Sequence, residues 1–257
     1  MRGFPLRLSP CNSLTRNPTT TQRLANRTNP RIPRFSTISP LKMRLPYAPS
    51  EPPASDPDAA AIYARIAARR NPRPLIPLDL SLLHSPPVAD GWNSFLGAIR
   101  TRTIIDQGLL ELAVSRVAVL TGAVYEWNAH APLALKGGIQ AQELQAVRTL
   151  PSTAVGEAAE LSKAKEALAQ SALTSRQKAI VQYADEMTQT VKVQDSTFAQ
   201  LQTEGFSDRE IVELTTGIAG YNCVSRVLVA LDVGENNARE MKSVDDVLDV
   251  CTGSSYS

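Results

Sequence analysis

From Asp106 to Gly138 the chain reads DQGLLELAVSRVAVLTGAVYEWNAHAPLALKGG, the longest apolar region of the sequence. Its charged side chains are Asp106, Glu111, Arg116, Glu126 and Lys136, with His130 as a sixth when protonated. The apolar positions do not alternate, so the stretch predicts helices. One helix runs over about 107–121 with Asp106 as its cap, and Gly122 loosens the chain. A second then carries Tyr125, Glu126 and His130 and ends at Gly137-Gly138. An unpaired charge inside such helices is costly, so those that remain are either paired or used.

The same reading extends over residues 46–257. A Pro-rich linker (46–56) leads to a helix from Pro57 to about Arg69, capped by Ser55 or Asp56 and stopped by Asn71-Pro72-Arg73-Pro74. A short helix over Leu75–His84 follows. Another starts at Pro86-Pro87 and places Trp92, Phe95, Leu96 and Ile99 on one face. Beyond the central stretch come Ala141–Thr149, Val155–Gln170, Ser175–Val191 and Asp195–Thr203. Thr174-x-x-Gln177 forms a capping box for the third of these. Ser207-x-x-Glu210 is a second capping box, with Phe206 and Ile211 as a hydrophobic staple, and it opens a long apolar helix that closes at Asp232–Gly234. The last twenty or so residues are polar and expected to fray. No segment alternates with period two for long enough to make a strand, so the domain is expected to be all-α. ELAVSRVAVLTGAVYEW (111–127) faintly echoes ELTTGIAGYNCVSRVLVAL (213–231). Two such apolar helices have to pack together, which predicts a bundle and an oligomer.

Charge divides the chain. Residues 1–50 hold nine of the 27 basic side chains and no Asp or Glu, so residues 51–257 carry 18 basic against 25 acidic, a net of −7. An acidic folded part argues against a nucleic-acid partner. The Arg-, Ser- and Pro-rich segment 1–45 is a basic tail with the composition of a mitochondrial transit peptide, and Arg34-Phe35-Ser36-Thr37 suits processing. The alternatives are a disordered tail, or a protein that starts at Met43 and is cytoplasmic. Three scattered cysteines and two histidines (His84 and His130) supply neither a disulfide framework nor a zinc site. No apolar run is expected to be long enough for a membrane span. The division is therefore a tail (1–45), a helical domain (46–235) and a polar C-terminal tail (236–257).

Glu126 and His130 are four residues apart and share a helix face, where a carboxylate raises the imidazole pKa and orients the ring. An ordinary ion pair on a partly exposed face has the same spacing. Pro132 removes the donor that would reach the Asn128 carbonyl, leaving polar backbone beside His130. Glu111 meets His130 only if the chain folds back after Gly122; otherwise it pairs with Arg116 or Arg226. Tyr125, Trp127 and Trp92 read as core residues or pocket walls, and Cys223 as a small core residue.

Glu111, LTGAVYEWNAHAPLA (120–134), GFSDREIVEL (205–214) and GYNCVSRVLVAL (220–231) together resemble the carboxymuconolactone decarboxylase family, within the alkylhydroperoxidase D-like superfamily. The resemblance covers about residues 43–235. It implies packed helices, assembly of the chain with itself as trimers or hexamers, and pockets near subunit contacts. Redox members use Glu, then Cys-x-x-Cys-x-x-x-His. Glu111 and His130 match that pattern, but the cysteine positions hold Ala123 and Glu126, and a carboxylate cannot supply thiolate chemistry. Decarboxylase members work by proton transfer without a metal or organic cofactor.

The resulting expectation is a cofactor-independent lyase or isomerase acting on a small organic acid or lactone. His130 would be its acid/base, with Glu126 and Glu111 completing the site. Arg116, Arg226, Tyr125 or Asn222 would grip the substrate, and Trp127 and Trp92 would wall the pocket. A non-catalytic, small-molecule-binding or structural helical oligomer is the alternative. An antioxidant role would need a reactive, exposed Cys223.

Overall fold

In the computed structural model, residues 43–252 are described. The basic tail and Arg34–Thr37 lie outside them, apart from residues 43–45. Among the described residues every regular element is a helix: α1 (Pro57–Arg70), α2 (Pro77–Leu82), α3 (Pro86–Thr101), α4 (Gln107–Thr121), α5 (Val124–Lys136), α6 (Ala141–Thr149), α7 (Ala158–Gln170), α8 (Ser175–Gln189), α9 (Asp195–Thr203), α10 (Asp208–Leu231) and α11 (Val244–Thr252).

The apolar pattern explains the arrangement. From Leu110 to Ala118 every residue of α4 is buried, as a helix that is apolar on all sides requires. It packs against α5, α6, α8 and α10, so the two apolar helices that echo each other in sequence do meet. A smaller core of Ile62, Tyr63, Ile66, Leu83 and Ala89 joins α1 to α2 and α3. The end of the chain departs from the expected frayed tail. Ser243 and Asp246 cap α11, Val244 and Val247 are buried, and α11 packs on α5 and α6.

The membrane expectation also needs correcting. By length and composition α10 is apolar enough to cross a membrane. Here Leu214, Ile218, Tyr221 and Val224 of α10 are buried in the bundle core, while Ala219, Cys223 and Ala230 face outwards.

The α4–α5 hairpin sets the site. Gly122 ends α4 at φ 67°, a left-handed conformation that a side chain disfavours. At the open end a Cβ on Gly108 would lie 2.3 Å from the Gly137 carbonyl oxygen, so only glycine lets the two backbones come this close. Gly108→Ala is therefore expected to cost about 1–3 kcal/mol, the usual range for overpacking. A urea titration showing no loss of stability would contradict this close approach.

Candidate active site

Folding back at Gly122 carries Glu111 of α4 onto His130 of α5, nineteen residues later. Glu111 Oε2 and His130 Nδ1 are 2.5 Å apart and both side chains are buried. The carboxylate can only accept, so Nδ1 carries the hydrogen and Nε2 is left for a ligand. The Tyr221 ring from α10 packs edge-on against the imidazole, with centroids 4.7 Å apart. Arg100, at the end of α3, donates to the Tyr221 hydroxyl (3.1 Å) and lies 3.8 Å from Glu111 Oε1.

A cavity of about 340 Å³ opens beside this pair, within the range of small-molecule sites. His130, Glu126, Tyr125, Trp92, Arg100 and Tyr221 are among its walls. Glu126 is 1% exposed, and among the described residues neither of its carboxyl oxygens has a hydrogen-bond partner. Burial, and then the Glu111 carboxylate, push its pKa well above the ordinary carboxylate value. Burial pushes the Tyr221 hydroxyl up to about 12, so it keeps its hydrogen at neutral pH. Desolvation disfavours the Arg100 cation, but Tyr221 and Glu111 outweigh it and the net shift is upward. The cavity thus holds an imidazole, a carboxyl group biased towards its protonated form, and a hydroxyl beside a guanidinium.

The buried Glu126 has a measurable consequence. Its pKa is higher folded than unfolded, so the folded state keeps the proton to higher pH. The stability this provides is present at low pH and lost as pH rises from about 4.5 through the raised value. Glu126→Met, which removes an unsatisfied buried group, should stabilise the protein at pH 7 by about 1–3 kcal/mol. Thermal unfolding should show the gain widening between pH 5 and pH 8. A gain that shrinks with rising pH would refute the assignment.

Other expected contributors lie elsewhere. Arg116 is fully buried away from the cavity and is paired to Asp185, with Nε–Oδ1 2.6 Å and Nη2–Oδ2 3.1 Å. It also donates to the carbonyls of Val147, Leu150 and Pro151. With its donors used inside the fold, it has none to offer a substrate. Trp127 is also fully buried, its Nε1 donating to the Lys242 carbonyl, and it does not wall the cavity as Trp92 does. Asn222 and Arg226 bond to each other on the outer side of α10, beside Cys223, which is exposed there and not the small core residue expected. Helix phase accounts for this, because Asn222 sits about 100° round the helix from Tyr221. Glu111 pairs with neither Arg116 nor Arg226.

Arg100 and Tyr221 were not expected at the site, nor were three arginines (Arg69, Arg70 and Arg73) at the end of α1 and in the turn beyond it. All of them line the cavity. The signal was the cluster Arg69-Arg70-x-x-Arg73, which reads equally well as a basic helix C-terminus.

Comparison with known proteins agrees with this architecture. Residues 86–170 match the carboxymuconolactone decarboxylase family. Over these residues the chain is similar to that family. The matched decarboxylase-family segment spans α3 to α7 and so contains Glu111, Glu126 and His130. A solved structure from Ralstonia eutropha JMP134, described as an uncharacterized peroxidase-related protein with an alkylhydroperoxidase core, superposes with a TM-score of 0.58. It is 16% identical and covers 82% of this chain and 96% of its own. Another uncharacterized peroxidase-related protein, from Silicibacter sp. TM1040, has a TM-score of 0.56 at 14% identity, covering 79% and 98%. At these identities the likeness concerns the fold. Among curated proteins, none matches the chain in sequence.

Proposed function

We propose that this chain, which is similar to the carboxymuconolactone decarboxylase family over residues 86–170, is a cofactor-independent acid–base enzyme, a lyase or isomerase acting on a small organic acid or lactone. The observation that carries the reading is the Glu126 carboxyl group, buried without a partner among the described residues, in the cavity that His130 also lines. A buried polar group without a partner is costly, and it persists where a ligand completes it.

His130 Nε2 takes a proton from the substrate, and Glu111 holds the ring and stabilises the imidazolium. As the electron pair moves onto a substrate carbonyl or lactone oxygen, Glu126 and Tyr221 donate hydrogen bonds to it and Arg100 adds positive charge. For a decarboxylation, the carbon–carboxylate bond breaks, CO2 leaves, and the bond's electrons move onto the same oxygen. A proton from His130 or Glu126 then returns to carbon.

Peroxide reduction is set aside. The positions that hold sulfur in redox members are Ala123 and Glu126, and Cys223, although exposed as an antioxidant role would need, lies on the outer face of α10 and does not line the cavity with His130.

Untargeted metabolite comparison of a deletion strain with one carrying His130→Asn tests the proposal. Both strains should accumulate the same small acid or lactone. Wild-type metabolite levels in the His130→Asn strain would rule the proposal out.

A further inference from the structure

Charge around the cavity is neutralised unevenly. Two arginines of α1 have carboxylate partners. Arg65 is paired with Asp90 on the outer surface, and Arg70 makes two 2.7 Å bonds to Asp79. Arg69, one turn beyond Arg65, meets Asn93, one turn beyond Asp90, so an amide stands where an acid would neutralise it. Arg73, in the turn after α1, is exposed. Four guanidiniums (Arg69, Arg70, Arg73 and Arg100) therefore line the cavity, and among the described residues only Asp79 and Glu111 are paired to any of them. The crowding is felt at Arg69, where burial and then the neighbouring Arg70 lower the pKa, with Arg100 adding to the effect. A protein surface seldom holds such a cluster without a counter-charge, and the missing counter-charge belongs to the ligand.

We infer that Arg69 and Arg73 form an anion subsite of the cavity, contributed by the end of α1 and the following turn, which holds a carboxylate or phosphate group of the substrate away from the atom that reacts at His130. Both arginines precede residues 86–170, so the subsite is built by chain outside the family match. The inference rests on the acid–base reading for its word "substrate", but the subsite stands on charge and geometry alone. Guanidinium suits either anion, gripping two oxygens at once. The uncharged Asn93 keeps Arg69 available while fixing its position.

The test is calorimetric titration of the full chain with glutarate and, separately, with inorganic phosphate, at low and moderate salt. At least one probe should bind the wild type, more weakly as salt rises. Arg73→Gln, on the surface and harmless to folding, should weaken that binding by about tenfold, the loss of one charge-assisted bond. Asn93→Asp should do the same by giving Arg69 its own carboxylate, and this variant keeps both arginines. Preference for glutarate or phosphate tells which anion the subsite takes. No binding by either probe, or equal binding by all three proteins, overturns the inference. Neither probe reacts, so failure of the acid–base reading would leave this result standing. Conversely, a failed titration would leave the His130 test untouched.

Discussion

His130→Asn should lower kcat/KM for the accumulated substrate by about 10²–10⁴, the usual contribution of a positioned acid–base group. The size follows from the arrangement. Nδ1 is occupied by Glu111 at 2.5 Å, so removing the ring removes the nitrogen that faces the cavity. Asparagine can still donate to Glu111, so the buried carboxylate keeps a partner and the fold survives. Glu111→Gln is the companion. Its amide no longer stabilises an imidazolium, so kcat should fall while KM changes little. Steady-state kinetics on purified protein, with circular dichroism to confirm folding, checks both. Unchanged kcat/KM in His130→Asn would remove His130 from the reaction.

The largest effect on stability is expected at Arg116, a residue that the sequence offered as a substrate ligand. Arg116→Met leaves Asp185 buried with only the Thr153 amide and hydroxyl as donors, and it strips the Val147, Leu150 and Pro151 carbonyls of theirs. Breaking a buried pair from one side typically costs about 3–5 kcal/mol. That is a large share of the roughly 5–15 kcal/mol that holds a domain together. Arg226→Ala, on an exposed side chain, should stay within about 0.5 kcal/mol. Urea unfolding of the two variants gives the contrast. Equal stabilities would mean that Arg116 is not the clamp between α4, α6 and α8.

The fold was legible because its signals are local. Asp56, Asp106, Thr174 and Ser207 each cap a helix as their residue types and spacing suggest. Gly122 announces the turn between the two halves of the apolar stretch. The core of the candidate site was legible for the same reason, since Glu111, Glu126 and His130 lie within one hairpin. Its rim was not. Arg69, Arg73, Arg100 and Tyr221 come from three separate parts of the chain and meet only through tertiary packing. Reading α10 in the wrong phase selected Asn222 and Arg226, when the cavity side is Tyr221, Val224 and Leu228. On α5 the same error placed Trp127 on the wall, although Glu126, Ala129, His130 and Leu133 form that stripe. Arg116 was misjudged because its partner, Asp185, lies 69 residues away. The end of the chain looked frayed because its polar composition hides the two valines that anchor α11.

The central claim is proton transfer between His130 and a substrate carbon. It is most directly tested by running the reaction in D₂O with the accumulated metabolite and following deuterium in substrate and product by NMR. Deuterium is expected at a single carbon, introduced only when protein is present and lost in His130→Asn. Turnover without deuterium at carbon, or the same incorporation by His130→Asn, would contradict it.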